Sequence, residues 1–504
     1  MWNRSVWLVW LLVLPLALIL GYLLATPDDL MSFGFIGLIL FSLSLPLLLR
    51  WHHALLIFSW NALIMINFLP GVPYLWMLLS FASLTISVVQ RTIDKQFVFL
   101  KAPSVTLPLL FLGGVVFVTA QFTGGIGLAA FGSALYGGKK YFYVLAAIVG
   151  YFALMAQPVP RHRAKLYTIL FFLTGLTAAV SNLIYLGGPS FYFLYGFFPA
   201  EFAVNQAMVD QGFLEIGTTR ISGLNLAGVA VFCALLASGG LRDVFNRPWK
   251  FLVMFLAFFA GMLSGFRSAT ILLGLLFVFM FFFQRLHRTI LFPKLILIGL
   301  LGAALLLPFI SKMPFSVQRA LSVLPIKVDP AVSRDAEGTS LWRLDMWKIL
   351  IPQIPTYFFK GKGFALDPTD LYLEEQSALR GLAGPSDLAI LVGEYHNGPL
   401  TVMLPFGIFG AIGFVWFLAA SWWALYRNYQ FGEPELRHIN AVLLAFFSTK
   451  AIYFLFVFGA FSSDLFGFIG LIGLSISLNG GIKEKRDVKA VEIPYKREDA
   501  TVTV

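Results

Sequence analysis

The sequence predicts an all-α polytopic membrane protein, a bundle of about 12–14 transmembrane helices with one large external helical loop. Three observations predict it. Hydrophobic residues make up 59% of the 504 and charged residues only 12%, about half the charged share of a soluble domain. Several apolar runs reach the roughly 17–25 residues that cross a hydrocarbon core as a helix. These runs are continuous rather than alternating, which excludes a membrane barrel. The net charge of +11 would suggest nucleic acid in a soluble protein. Here the cations lie mostly between apolar runs, so no nucleic-acid partner is expected. Cys233 is the only cysteine, so no disulfide forms within the chain and cysteine-ligated zinc is excluded.

The run after Arg4, "VWLVWLLVLPLALILGYLLA", is too long for the core of a cleaved leader, and a second apolar run follows it; it reads as a first transmembrane helix at 6–25. Further spans are expected at 32–49, 54–69, 72–90, 105–121, 141–156 and 166–187. The third and fourth are joined by "LPGVPY", and the fifth contains Gly113 and Gly114. An aromatic loop at 188–220 ("FYFLYGFFPAEF") reads as an interfacial, re-entrant or amphipathic element. Spans at 221–238, 250–265, 268–284 and 293–310 follow. The stretch 311–398 is far longer than ordinary bundle connections and is expected to fold as a helical subdomain over one mouth of the bundle. Spans at 399–421, 439–458 and 463–479 precede a solvated tail. The expected organisation is therefore 1–310 N-terminal transmembrane helices, 311–398 loop subdomain, 399–479 C-terminal transmembrane helices and 480–504 cytoplasmic tail.

Cationic loops stay cytoplasmic. With both termini inside, 22 of the 36 Lys and Arg fall in inner segments, and nine of the other 14 lie in the single long loop. That loop then lies on the outer side of the membrane. On this topology Arg220, Arg267 in the tight turn "SGFRSAT", Arg343 in "SLWRLDMW" and His396 in "EYHNGPLTVMLPFGIFG" all reach the same outer surface. An Arg at a helix end often only snorkels to headgroups. Arg267, however, is confined between two helix ends, where its planar fork suits phosphate or carboxylate and the N-terminus of the next helix favours an anion. Glu394 is placed to orient the imidazole or to stand at the rim. Lys450 falls within "AVLLAFFSTKAIYFLFVFG", where an ammonium needs a wet cavity or a carboxylate.

His396-Asn397, nine residues, then Gly407-Ile408-Phe409-Gly410 is similar to the H-[NSQ]-x9-G-x-x-G signature of O-antigen ligases and the related O-antigen polymerases. "LSGFRSATILLGLLF", "TTRISGLNLAGVAVF" and "WRLDMWKILIPQIPTYFFKGKGF" resemble three further stretches of that family, in the same order, over roughly residues 200–480. Many lipopolysaccharide ligases continue the glycine motif with two threonines, whereas Ala411 and Ile412 stand here. The resemblance implies a bacterial inner-membrane enzyme. It would move a glycan from an undecaprenyl diphosphate carrier to a hydroxyl of either a lipid A core or a second carrier-linked glycan, among membrane lipids. The charge that develops on the diphosphate needs fixed cations or a metal. The sequence has no D-x-D motif and no cysteine cluster, so Arg220, Arg267 and Arg343 are the expected diphosphate ligands, with no metal and no cofactor. His396 is the expected base. Asn397 and Glu394 are supporting residues, as are Gly407 and Gly410 through close helix packing.

The alternative is a lipid-linked oligosaccharide flippase, for which midplane polar groups, internal repeats and short loops are expected; the sequence instead shows polar groups at the surface, no visible repeat and one large outer loop. A carboxylate-dependent transferase using Asp28-Asp29 would have a platform of only about six residues.

Overall fold

The computed structural model describes residues 4–25, 30–95, 98–127, 134–210, 220–384 and 386–485. Asp28-Asp29 and the tail from 486 onward lie outside the described residues. The described chain is helical, with only isolated β-bridges besides, as the apolar runs require when every buried backbone group must be paired within its own segment.

In chain order the helices are α1 (Arg4–Ala25), α2 (Leu30–Ser59), α3 (Leu75–Ile93), α4 (Pro103–Thr123), α5 (Gly138–Leu154), α6 (Ala164–Leu173), α7 (Thr177–Gly187) and α8 (Glu201–Asp210). Next come α9 (Gly223–Asn246), α10 (Pro248–Leu263), α11 (Arg267–Phe283) and α12 (Leu291–Leu306). The long loop holds α13 (Phe315–Leu321), α14 (Pro330–Leu350), α15 (Ile354–Tyr357), α16 (Pro368–Leu379) and α17 (Asp387–Val392). The series closes with α18 (Gly398–Phe431), α19 (Arg437–Phe456) and α20 (Phe461–Asn479). Among the described residues, nine helical stretches are long and apolar enough to cross a membrane, and three shorter apolar helices accompany them.

The expected separate span at 54–69 is not a helix of its own. Helix α2 runs to Ser59, and residues 60–74 form an irregular hairpin in which Ile66 N donates to Pro73 O (2.9 Å) and Leu75 N to Ile64 O (2.8 Å). Pro70 and Pro73 lack the amide protons a helix would need there, and the turn takes positive φ at Gly71 and Val72. Side chains and loops satisfy the freed backbone: Asn61 Nδ2 donates to Phe171 O (2.8 Å), Leu63 N to Thr177 Oγ1 (2.8 Å) and Met65 N to Phe197 O (2.8 Å). The aromatic loop after α7 begins as a 3-10 helix, Pro189–Gly196, with Phe193 69% exposed.

Two ends of the bundle are defined by contacts between distant segments. At one, Val159 N donates to Ser477 O (3.0 Å), Arg161 pairs with Glu433 (3.3 Å), Tyr429 Oη donates to Phe283 O (2.5 Å) and Arg427 Nε to Lys483 O (3.0 Å). At the other, Tyr136 N donates to Leu366 O (2.8 Å), Lys140 Nζ to Val392 O (2.5 Å) and Arg267 Nη2 to Ala336 O (2.8 Å). The cation-rich connections thus share the first end, and the long loop covers the second, here called the loop end. Between them lies a continuous apolar core, in which Trp60 stacks on Phe466 with ring centroids 5.0 Å apart. Lys450 resolves to the carboxylate alternative: its Nζ stands 2.9 Å from Asp464 Oδ1, and Asp464 also accepts from Ala460 N (2.9 Å) at the start of α20.

Candidate active site

Helix α14 organises the loop end. Pro330 opens it, and Asp329 caps it by accepting from Ala331 N at 2.8 Å, the arrangement expected at a helix start. Positions 335, 339, 343, 346 and 350 follow helical spacing and share one face. The early part of that stripe is polar, with Asp335, Thr339 and Arg343. The later part, Met346 and Leu350, packs with Tyr395, Leu400 and Leu404 at the head of α18. One helix therefore presents charge to the site while its apolar end fastens the segment that carries His396.

Four guanidinium groups gather around the polar part of α14. Arg220 places Nη2 3.4 Å from both Asp335 oxygens, and its backbone N donates to Asn205 Oδ1 at 3.2 Å. Arg319, 3% exposed, pairs through Nε with Asp335, donates through Nη1 to Gly265 O (2.6 Å) and through Nη2 to Thr339 Oγ1 (3.0 Å). Arg267 is the first residue of α11 and donates from Nη2 to Ala336 O (2.8 Å) and Ser340 Oγ (2.9 Å). Arg343 lies with its guanidinium carbon 5.9 Å from the centroid of the Phe458 ring, and among the described residues its buried Nε has no hydrogen-bond partner, nor has Nε of Arg220. Arg319 acts electrostatically on the other three. Among the described residues Asp335 is the one acid paired within the group, so the cluster carries excess positive charge there. Buried cations with unused donors are costly unless an anion completes them.

His396 borders this cluster. Its backbone has φ 50°, a left-handed conformation that few non-glycine residues adopt. Both neighbours hold it there: Tyr395 is buried and its carbonyl accepts from Trp347 Nε1 (2.9 Å), while Asn397 Oδ1 caps α18 by accepting from Leu400 N (3.1 Å). The imidazole packs between the rings of Trp342 and Phe458, each with centroid 5.1 Å away, and its Nδ1 has no hydrogen-bond partner. Burial, helped by the charge of Arg343, pulls its pKa down to about 4. The ring is therefore neutral at physiological pH and able to accept a proton.

The structure thus brings together Arg220, Arg267, Arg343 and His396. Arg319 and Asp335 complete the cluster; neither stands in a motif, and the short helix α13 that carries Arg319, buried from Ser316 to Ala320, gives no signal of its own. Glu394 is exposed and its charge acts on Lys140 and Glu201, so the expectation that it orients the imidazole gives way to a rim position. Asn397 serves as the helix cap. Gly407 lies against the C-terminal end of α15, near the carbonyls of Tyr357 and Phe358, and Gly410 against Phe406 of its own helix. Gly407, at φ 61° and ψ −161°, breaks α18, and a Cβ on it would stand 2.4 Å from Phe358 O. The loop segment 358–363 docks into the break: Lys362 N donates to Leu404 O (2.8 Å), Gly363 N to Pro405 O (2.9 Å) and Ile408 N to Phe358 O (2.7 Å). One turn on, a Cβ on Gly410 would lie 2.3 Å from Phe406 Cβ. The glycine motif builds a helix break that clamps the loop.

Comparison with known proteins adds one match. Residues 252–415, about a third of the chain, are similar to the family described as O-antigen ligase. Arg267, Arg319, Asp335, Arg343, His396, Gly407 and Gly410 fall inside the matched segment; Arg220, Phe458 and the Lys450–Asp464 pair lie outside it. No curated protein matches the chain.

Proposed function

We propose, on the premise that the chain is a glycan-transferring member of the O-antigen ligase family, that it moves a glycan from undecaprenyl diphosphate to an acceptor hydroxyl at the periplasmic face of a bacterial inner membrane. Both termini are then cytoplasmic. The observation that carries this reading is the gathering of four guanidiniums around the polar part of α14, two of them paired with Asp335, beside a neutral, half-buried imidazole.

In the reaction the bond between the anomeric carbon and the diphosphate oxygen breaks as the acceptor oxygen attacks that carbon. Its electron pair leaves with the diphosphate, and the hydroxyl proton goes to His396. Arg343 and Arg220, whose Nε atoms lack partners, and Arg267 are the ligands for the departing charge; fixed donors in a water-poor site need no reorganisation as charge develops. Arg319 and Asp335 act by position, holding Arg220 and the turn at Gly265 in place. Bound diphosphate offsets the positive field of Arg343, so the imidazole becomes a stronger base once the donor is seated. No step requires a metal.

The test is transfer by purified protein from a diphosphate-linked glycan to a lipid A core or a carrier-linked acceptor, with and without EDTA. Full activity in EDTA and its loss in His396→Ala are expected. An EDTA-killed enzyme rescued by magnesium would overturn the arginine assignment.

A further inference from the structure

A second feature of the loop end lies apart from the cation cluster. Helices α4 and α18 meet at Gly413, where an added Cβ would lie 2.9 Å from the Phe111 ring and 3.4 Å from Leu112 Cα. Toward the loop end a groove of about 750 Å³ opens between them, lined by Phe111, Gly114, Val118, Phe122, Phe359 and Phe409, among others. The volume lies within the range of specific small-ligand sites. From Phe111 to Phe122 it follows α4 for eleven residues, about 16 Å at the helical rise. Its lining holds one charged residue, Lys360, which is exposed and makes no ion pair among the described residues.

This is a built groove rather than a gap between helices. Phe359 and Lys360 belong to the segment clamped by the break at Gly407, and Gly361, at φ 74°, lies so close to the chain that a Cβ would stand 2.2 Å from Pro405 O. Gly114 opens into free space, with nothing within 4 Å of where its Cβ would be.

We propose that this groove seats the isoprenoid chain of the acceptor, a second carrier-linked glycan, with its phosphate on Lys360. The inference rests on the transferase reading and deepens it. An elongated apolar trough with one cation matches a single chain bearing an anionic head; an anchor of several acyl chains needs a wider surface. The donor has its own cation cluster, to which neither α4 nor α18 contributes a guanidinium. Phe406 lies eight residues along α18 from its start beside His396, before the break, about 12 Å, which leaves room for the acceptor glycan between the groove and the reacting hydroxyl.

Gly114→Trp fills the groove from its open wall, and Val118→Trp does so from a position that is 51% exposed. In the full-length protein each is expected to raise KM for a carrier-linked acceptor by about tenfold or more while KM for the donor stays within about twofold, and Lys360→Ala is expected to act in the same direction. Undecaprenyl phosphate carrying a photoreactive group in its chain should label peptides of α4 and α18 in the wild type and lose that labelling in Gly114→Trp. A rise in donor KM instead, unchanged acceptor KM in both Trp variants, labelling elsewhere, or exclusive use of a lipid A core acceptor would overturn the proposal. Wild-type protein inactive with every acceptor would overturn the transferase reading instead, with labelling still deciding the groove.

Discussion

His396 shows how much structure one residue can require. Its left-handed backbone costs on the order of 1–3 kcal/mol, and it persists because the Trp347 contact on one side and the Asn397 cap on the other fix both flanks. A depressed pKa means that the base is lost only when pH falls through the lowered value. The acid limb of kcat/KM, which reports the free enzyme, is therefore expected near pH 4 and not near 6.5. The limb of kcat should lie higher, because bound diphosphate offsets Arg343; a full pH–rate profile checks both. His396→Ala should lower kcat by about 10²–10⁴-fold with expression unchanged. Arg343→Lys should impair transfer because a point charge lacks the fork, measured as kcat/KM for the donor. Motifs made Arg220, Arg267, Arg343 and His396 legible in the chain. Arg319 and Asp335 were not, because their importance lies in a pairing between two helices, α13 and α14, 16 positions apart in the chain, that no periodicity encodes.

At the scale of elements, α14 and the broken α18 do the positioning. Gly407 occupies a φ/ψ region almost exclusive to glycine, and Gly407→Ala adds a clash with Phe358 O. That substitution should cost about 1–3 kcal/mol from backbone strain alone and release the 358–363 segment. Faster hydrogen exchange at the amides of Lys362, Gly363 and Ile408, together with a lower melting temperature in detergent, is the expected readout. The spacing between histidine and glycines was visible from the start, but a helix break and a helix contact use the same residue type, and only the backbone distinguishes them. Lys450 and Asp464 form the other device at this scale. Removing one partner leaves a poorly solvated charge, so Lys450→Met should lower the melting temperature, and Lys450→Met with Asp464→Asn should recover part of the loss. Equal destabilisation in single and double variants would show that the pair is not coupled.

For the molecule as a whole, hydropathy and cation placement were enough to identify a helical membrane bundle and to sort its connections into two ends, because membrane insertion itself selects on those quantities. They overcounted helices at 54–69, where Pro70 and Pro73 divert an apolar stretch into a hairpin that other loops satisfy. Apolar length measures the ability to cross a membrane, whereas helicity also needs donors at every turn. The charge cluster at the loop end is proposed to hold a lipid diphosphate beside a neutral imidazole. The most direct test is the affinity of purified protein for undecaprenyl diphosphate in wild type, Arg220→Ala, Arg343→Ala and His396→Ala. The arginine variants should bind about tenfold or more weakly, while His396→Ala keeps wild-type affinity without transferring glycan. Wild-type affinity in both arginine variants would contradict the account.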